Sequence, residues 1–541
     1  MALDEQKVAE LVSRVVARLQ QKGVAAPAPK TAPAVPPRPS PSNTKADHSG
    51  STNWMRSKPL RGDDLPIQRK TGMTRPTAQP KAEKPAPTVS VKAPASSGGD
   101  GVYSDVDSAC RAAERSYHEL SKLGFNARFK LIEVFRSAAL ANIERWSVEA
   151  ARETGMGRAE DKIKKNRLVT TRTPGPEFLM RPETYAGSDG LTSIRLDPWG
   201  VIASIIPCTN STETVINNGI GMLAAGNAVV FNPHPVAKKV SCDAVRTLNA
   251  ALSAAGFPRE LLCILAEPTV ESAHALMKHP TTGMVLVTGG GAVVDVAMKS
   301  GKRAVCAGPG NPPAVVDETA DLDRAARALV SGASLDNNVV CTDEKSVIAV
   351  TSIADALKKK MLDLDCVEVT GANIEKLTKI ILSDPGSPTH HGMTNKKFVG
   401  KNPSVILREI GMNVDDRVRL AIVDVDTNHP LIWTEQLMPV LPICRVKDAE
   451  DAIALAAAVE GGRRHTASIH SQRIDRITRF ANTLNCSICV ANDSNYAGLG
   501  MNGEGYTSFS IATPTGEGLT TARTFCRERR LAISGGGLSR G

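Results

Sequence analysis

The feature that most constrains the fold is a series of short apolar runs, each ended by turn residues and separated from the next by a segment of helical length. The first such runs cover 201–206, 228–231, 262–265, 284–287 and 314–316, with helix-length segments at 213–225, 237–255 and 293–299. These runs lack strict alternation of apolar and polar residues, which is typical of parallel strands covered by helices on both faces. The pattern predicts a doubly wound α/β domain.

A second α/β pattern follows in the other half of the chain. Its predicted strands cover 346–350, 367–369, 420–425 and 487–490, and residues 105–153 ahead of the first pattern are predicted to be helical. A chain of 541 residues is too long for one core. We therefore expect two doubly wound α/β domains, with boundaries at 102–310 and 311–505.

The N-terminus carries an amphipathic stripe that has no neighbouring core to cover it. Asp4 can cap a helix and Gly23 can end it. The apolar positions follow helical spacing, and they are Val8, Leu11, Val12, Val15, Val16 and Leu19. Residues 1–23 are therefore predicted to form a helix that docks on another protein.

Residues 24–101 are predicted to be a disordered, basic, Pro-rich linker. Residues 25–99 hold 14 of the 34 prolines and almost no Leu or Ile to bury. Residues 1–100 contain 16 Lys and Arg against 8 Asp and Glu, so most of the net charge of +10 belongs to this extension. The charge therefore gives little reason to expect a nucleic-acid partner.

Cysteine usage and hydropathy together predict a cytoplasmic protein. The 11 cysteines are odd in number and follow no paired framework, which favours reduced thiols. No apolar run approaches the roughly 18 residues that a membrane span needs. Asp4 and Glu5 stand where a secretory signal would be basic. We expect no membrane association.

Two local patterns could carry chemistry. Cys341 follows a polar turn and precedes a strand, where a thiol could serve as a nucleophile toward a carbonyl carbon. A small buried apolar role is an equally open interpretation for a single cysteine. Residues 287–294 run from an apolar strand through three glycines into a helix, an arrangement that could present backbone amides to a phosphate. Glycines can also follow strands for purely steric reasons.

Two further patterns do not favour a metal site. Cys486 and Cys489 form a single C-x-x-C inside an apolar run, and His390 and His391 lack the spacing of helical ligands. We predict a strand for the first pair, a solvated loop for the second, and no metal.

Five motifs resemble the aldehyde dehydrogenase superfamily in their order and spacing. They are IIPCTN at 205–210, the stretch 217–231, GPGNPP at 308–313, NNVVC at 337–341 and TEQLMPVLP at 434–442. Residues 102–533 are most similar to the CoA-acylating branch found in bacterial microcompartments, the propionaldehyde and acetaldehyde dehydrogenases. The N-terminal helix and linker resemble the encapsulation peptides of that branch.

The resemblance implies a role for particular residues. Cys341 would be the thiol that forms a thiohemiacetal and then a thioester, and Asn210 would donate to the oxyanion with the Cys341 N–H. Glu435 would hold the nicotinamide ribose of NAD. A second set would line the rest of the cofactor site: Pro207, Asn232, Thr288, Gly289 and Gly290.

One departure from the family pattern predicts the acyl acceptor. Hydrolytic members carry a glutamate base in the stretch that here spans 306–310, which holds no carboxylate. Without it the thioester should wait for the thiol of coenzyme A rather than water. The implied reaction is aldehyde plus CoA plus NAD giving acyl-CoA and NADH, with propionaldehyde favoured. Alternatives are a non-acylating dehydrogenase that releases an acid, and an inactive scaffold of the microcompartment.

The resemblance also concerns assembly and cofactor preference. Residues 506–541, with the subunit-bridging strand at 520–533, would be an oligomerisation segment, so a homodimer or homotetramer is expected. The N-terminal helix would bind a shell protein and place the enzyme inside a microcompartment. Asn232 replaces the lysine of hydrolytic members, which leaves the choice between NAD and NADP open.

Overall fold

The apolar runs form parallel strands of two separate sheets. A computed structural model describes residues 100–180 and 182–535, and all of them belong to one compact unit. The predicted targeting helix and linker, up to residue 99, lie outside the described residues. Within this part of the chain, no helix is long and apolar enough to cross a membrane.

The helices of the described residues are α1 Val106–Lys122, α2 Ala127–Leu140, α3 Ile143–Thr154, α4 Ala159–Arg172, α5 Ser211–Ala224, α6 Lys238–Ala254, α7 Val270–Lys278, α8 Gly291–Met298, α9 Leu322–Ser334, α10 Thr351–Leu362, α11 Ala372–Ile381, α12 Pro403–Arg408, α13 Ala449–Glu460 and α14 Ile474–Leu484.

The strands are β1 Val102–Tyr103, β2 Glu183–Gly187, β3 Gly190–Pro198, β4 Val201–Ile205, β5 Ala228–Asn232, β6 Leu262–Leu265, β7 Thr282–Thr288, β8 Arg303–Ala307, β9 Pro313–Val316, β10 Ser346–Val350, β11 Cys366–Val369, β12 Leu382–Asp384, β13 Met393–Thr394, β14 Leu420–Val425, β15 Val440–Val446, β16 Thr466–His470, β17 Ile488–Ala491, β18 Ile511–Ala512, β19 Gly518–Leu519 and β20 Cys526–Ser534.

Two parallel sheets organise these elements. The first has the order β1-β6-β5-β4-β7-β8 and the second the order β11-β14-β15-β10-β9-β16-β17. Alternate side chains of β4 enter different cores, since Ile202 packs in one cluster and Ala203 in another. Both clusters include helical residues, so the sheet is covered on both faces. The predicted α/β class is confirmed.

The C-terminal residues comprise a part that is buried in the core and a last strand that is mostly exposed. Phe509, Ile511 and Phe525 are buried in the core beside the first sheet. The last strand, β20, instead pairs antiparallel with β3 and forms one edge of the three-stranded sheet β2-β3-β20. Most of β20 is exposed.

Candidate active site

A strained polar turn leads into the loop that carries Cys341. Asp336, Asn337 and Asn338 have φ values of 49°, 56° and 61°, in the left-handed region that Asn and Asp tolerate better than other side chains. Hydrogen bonds compensate for this conformation. The amide of Asn337 donates to the carbonyl of Gly400 at 2.9 Å, and that of Asn338 to the carbonyl of Ala333 at 2.7 Å. The predicted polar turn before β10 is therefore present and firmly held.

A buried lysine, Lys345, fixes the backbone that leads into Cys341. The Lys345 ammonium donates to the carbonyl oxygens of Asn338 and Val340, both at 2.9 Å, and to Oδ1 of Asn338 at 2.5 Å. Only 1% of Lys345 is exposed. Since each of its three N–H groups has an acceptor, the ammonium holds the backbone just before Cys341 in one conformation.

The Cys341 thiol is partly accessible and protonated at neutral pH. Burial raises its pKa, and the nearby Glu435 carboxylate raises it further, while the Lys345 ammonium opposes both, giving about 12. Thiolate is the reactive form of a cysteine. Cys341 is therefore held as a thiol, and its proton would have to leave before it could act as a nucleophile.

Asn210 lies at the start of α5 and is buried, with 6% of its surface exposed. Its Oδ1 accepts a hydrogen bond from Lys165 of α4 at 2.6 Å. Its Nδ2 makes only a long contact, 3.4 Å, to the hydroxyl of Thr209. The amide nitrogen is thus free to donate to another group, which an oxyanion donor requires.

Gly310 is the point where three segments converge on the thiol loop. Its N–H donates to the carboxylate of Glu435. A Cβ added to Gly310 would lie 2.8 Å from the carbonyl oxygen of Cys341 and 2.9 Å from Cγ of His465. The absence of a side chain here lets the segment 306–310, the thiol loop and His465 approach one another. The carboxylate of Glu435 therefore lies near Gly310, although residues 306–310 contain no carboxylate of their own.

His465 is a site residue that the sequence did not reveal. It is 1% exposed, and burial together with the Lys345 and Arg463 charges lowers its pKa to about 3, so its ring is neutral. Nδ1 contacts the hydroxyl of Thr466 at 2.8 Å, and Nε2 has no hydrogen-bond partner among the described residues. With so low a pKa the ring stays neutral near pH 7, so His465 serves as a hydrogen-bonding group and not as a base. No spacing or composition signal marks this histidine in the chain.

The predicted cofactor residues meet at one edge of the first sheet. Pro207 follows β4, Asn232 ends β5 and Thr288 ends β7, and these three strands are neighbours in the order β5-β4-β7. From β4 the chain continues to β5 and β6 on one side of the sheet, and then returns to place β7 and β8 on the other side of β4. The boundary between β4 and β7 is therefore the point where the strand order reverses. Nucleotides bind in the crevice at the carboxyl ends of strands at such a switch point.

The glycines after β7 leave room beside a helix N-terminus. A Cβ added at Gly290 or Gly291 would meet no atom within 4 Å, whereas at Gly289 it would lie 3.1 Å from Val293. Helix α8 begins directly at Gly291. Its free N–H groups and open space can accommodate a pyrophosphate, so these residues fit an NAD site.

Asn232 has its side chain already engaged. Its Oδ1 accepts a hydrogen bond from the Ser272 hydroxyl at 2.6 Å, and Ser272 belongs to the capping box that starts α7. Thr288 is also tied down, since its hydroxyl lies 2.8 Å from that of Ser510. The side-chain oxygen of Asn232 is therefore occupied within the protein, as is its carbonyl oxygen, which accepts from the N–H of Ile206 at 3.1 Å.

The patterns predicted to lack a metal have other partners. His390 contacts Asp384 at 2.7 Å, and His391 lies 3.4 Å from the carbonyl oxygen of Trp433. Cys489 lies on the edge strand β17, which begins one residue later than predicted. No group of three His, Cys, Asp or Glu side chains placed to hold a metal ion occurs within 100–180 and 182–535.

Comparisons with known proteins agree with the motifs. The aldehyde dehydrogenase family profile matches residues 84–379 and 417–511. The acetylating acetaldehyde dehydrogenase EutE of Salmonella typhimurium is 47% identical over 434 residues, which cover 80% of this chain and 92% of the relative. The CoA-propanoylating propanal dehydrogenase of the same organism is 41% identical, covering 83% and 95% of the two chains.

Solved structures give the same result. The propionaldehyde dehydrogenase of Rhodopseudomonas palustris, with CoA bound and an acylated cysteine, superimposes with a TM-score of 0.77 and 41% identity, covering 80% of this chain and 98% of that one. A propionaldehyde dehydrogenase from a fucose utilisation microcompartment of Clostridium phytofermentans has the same values. The chain therefore belongs to the aldehyde dehydrogenase family, in the branch of the CoA-acylating acetaldehyde and propionaldehyde dehydrogenases.

Proposed function

We propose that this enzyme oxidises a short-chain aldehyde with NAD and CoA to acyl-CoA and NADH, through a thioester on Cys341. The observation that carries this proposal is the partly accessible thiol on a loop whose turn is joined through Lys165 to a free amide donor, Asn210, with no carboxylate in residues 306–310. Relatives that act on acetaldehyde and on propionaldehyde are both similar to the chain. Propionaldehyde stays the predicted substrate from the sequence motifs.

Each step has a residue placed for it. The partly accessible Cys341 thiol releases its proton to solvent and attacks the aldehyde carbon, so that negative charge develops on the carbonyl oxygen. The amide of Asn210 and the N–H of Cys341 stabilise that charge. NAD, when bound, supplies the hydride acceptor that turns the thiohemiacetal into a thioester. The CoA thiol then displaces Cys341, and the departing Cys341 sulfur, whose pKa burial raises, takes up the proton that CoA loses.

The cofactor is assigned to the crevice at the ends of β4, β5 and β7. Gly289 and Gly290 would leave space for the pyrophosphate, while Pro207 and Asn232 would line the adenosine side. Glu435 would bind the ribose hydroxyls next to the nicotinamide. Because Glu435 is also close to Cys341, this placement would bring the hydride acceptor to the thiol.

The acyl acceptor is tested by measuring NADH with and without CoA. Without CoA the enzyme should release at most about one NADH per active site and then stall, because the acyl-enzyme accumulates. Adding CoA should restore steady turnover. Sustained CoA-independent turnover to a free acid would favour the hydrolytic alternative, and absence of any acyl-enzyme with aldehyde and NAD would favour the inactive scaffold.

We also propose a homo-oligomer assembled through β20. The strand pairs with β3 on one side, its other edge has no strand partner within residues 100–180 and 182–535, and Leu531 and Ile533 are 44% and 46% exposed. An open edge with apolar residues is a surface for pairing with another chain. Sedimentation should give a dimer or tetramer, and a species of only 57.3 kDa at micromolar concentration would contradict this.

Residues 1–23 are proposed to bind a microcompartment shell protein and place the cytoplasmic enzyme inside that compartment. The support is the apolar stripe in the sequence and the similarity to a microcompartment enzyme. Deleting 1–23 should leave catalysis in vitro unchanged and remove the enzyme from purified microcompartments. Fusing 1–23 to a fluorescent protein should carry it inside. A diffuse fusion, or a truncated enzyme that still co-purifies with shells, would refute the role.

A further inference from the structure

A fully buried lysine joins the oxyanion donor to the loop of the nucleophile. Lys165 lies on α4 and is 0% exposed. Three oxygens from two segments surround its ammonium: Oδ1 of Asn210 at 2.6 Å and Oε1 of Glu213 at 3.1 Å from the start of α5, and Oδ2 of Asp336 at 2.5 Å. The contact with Asn210 is a hydrogen bond, and the two carboxylates supply the opposite charge that a buried ammonium needs.

The contact with Asn210 decides which end of its amide faces the substrate. A side-chain amide presents an oxygen on one side and an NH₂ group on the other, and the two ends have nearly the same shape. If the amide turned over, its NH₂ group would face an ammonium at 2.6 Å, donor against donor. The cation therefore keeps Oδ1 on its own side and leaves Nδ2 as the free donor.

The contact with Asp336 reaches the other half of the site. Asp336 is in the left-handed turn that leads to Cys341, and its Oδ1 accepts from the backbone N–H of Arg158 at 2.8 Å. Glu213 lies on α5, the helix that begins just after Asn210. One ammonium thus ties the start of α5 to the turn of the thiol loop.

We propose that Lys165 is a positioning residue of the reaction: it orients the Asn210 amide as the oxyanion donor and holds that donor in register with the loop of Cys341. This inference rests on the proposed roles of Asn210 and Cys341. A misdirected amide would place a carbonyl oxygen against the developing oxyanion. Loss of one oxyanion donor lowers turnover by about 10²–10³-fold in other enzymes, which sets the scale of the effect.

Lys162 provides a matched control. It lies one turn earlier on α4, is 1% exposed, and its ammonium contacts the same Oδ2 of Asp336 at 2.8 Å. Within the described residues its ion pair is with Asp336, and its hydrogen bond goes to the same carboxylate and not to Asn210. Lys162→Met and Lys165→Met therefore each remove a buried charge that pairs with Asp336, and only the second also removes the contacts with the Asn210 amide and with Glu213. Comparison with Lys165→Met/Glu213→Gln separates the effect of the amide from that of the unpaired carboxylate.

The test measures the NADH burst of Asn210→Ala, Lys165→Met, Lys162→Met and the double variant Asn210→Ala/Lys165→Met. Lys165→Met should slow the burst by about 10²-fold, with the KM values for NAD and CoA unchanged, and Lys162→Met should slow it far less. In the Asn210→Ala background, Lys165→Met should slow the burst little further, because the amide that Lys165 orients is absent.

The outcomes separate the two proposals. If Asn210→Ala keeps a normal burst, the oxyanion role of Asn210 is wrong and the present inference falls with it. A slow burst in Asn210→Ala leaves three results that would refute the positioning role alone. The burst of Lys165→Met could have the wild-type rate, or it could have the same rate as that of Lys162→Met. The rate losses of Lys165→Met and Asn210→Ala could also multiply fully in the double variant. Should Lys165→Met fail to fold, Lys165→Met/Glu213→Gln removes the cation together with one buried carboxylate, and the same comparison with Asn210→Ala applies to it.

Discussion

Replacing Gly310 with Ala should damage catalysis more than it damages the fold. The added Cβ would be 2.8 Å from the carbonyl oxygen of Cys341 and 2.9 Å from Cγ of His465, and neither atom is the end of a flexible chain. Ordinary contact needs about 3.4 Å or more, so the thiol loop or His465 must move by roughly half an ångström. Overpacking of this kind costs about 1–3 kcal/mol of stability.

The catalytic cost follows from the same displacement. A misplacement of about 1 Å in an active site can lower the rate about 10²-fold. A displacement of roughly half an ångström therefore predicts a fall in the acylation rate of roughly tenfold. Rapid-mixing measurement of the NADH burst gives that rate, and thermal unfolding reports the loss of stability. Gly187→Ala is the control, because a Cβ there meets nothing within 4 Å. A burst within about twofold of wild type for Gly310→Ala would refute the argument that Gly310 sets the spacing of the site.

Three further substitutions test separate parts of the site. Cys341→Ala should abolish NADH formation. The control Cys306→Ala, which truncates a buried thiol of β8, should retain most of it. NADH formation by Cys341→Ala would exclude the thioester mechanism. Glu435→Gln removes a negative charge that raises the pKa of the Cys341 thiol, so alkylation of Cys341, followed by peptide mass spectrometry, should reach its midpoint at lower pH. A midpoint that stays or rises would show that the carboxylate does not act on the thiol. Gly290→Ala should raise the KM for NAD several-fold at unchanged thermal stability, because its Cβ would meet only open space beside α8; an unaltered KM would move the pyrophosphate elsewhere.

The sequence was most informative where burial follows a local pattern. Strand β6 was predicted at 262–265 and occupies Leu262–Leu265, and the run 228–231 predicted β5, Ala228–Asn232, to within one residue. Both faces of these strands are buried, so every position must be apolar and the run ends where the strand ends. The polar turn before Cys341 was also readable, because Asn and Asp are the residues that accept left-handed backbone.

Helix α4 illustrates what the sequence could not indicate. Its residues are strongly charged, a composition that normally belongs to a solvated surface. Yet Asp161, Lys162, Lys165 and Asn166 are all at most 1% exposed. Burial of a charge is tolerated only when an opposite charge or a hydrogen-bond partner comes with it. Here those partners, Asp336 and Asn210, come from distant segments, so no local pattern announces them.

The sequence alone thus determined the α/β class, the position of most strands in the two parallel sheets, and the polar turn before Cys341, because each depends on neighbours in the chain. The role of Cys341 stays a prediction from the family motifs. Only the tertiary structure decided how the thiol is surrounded. Glu435 and His465 meet Gly310 and Cys341 because β9, β10, β15 and β16 are neighbours in one sheet. Contacts between residues more than 90 positions apart in the chain, such as Cys341 and Glu435, are set by the packing of whole elements and leave no periodic trace in the sequence.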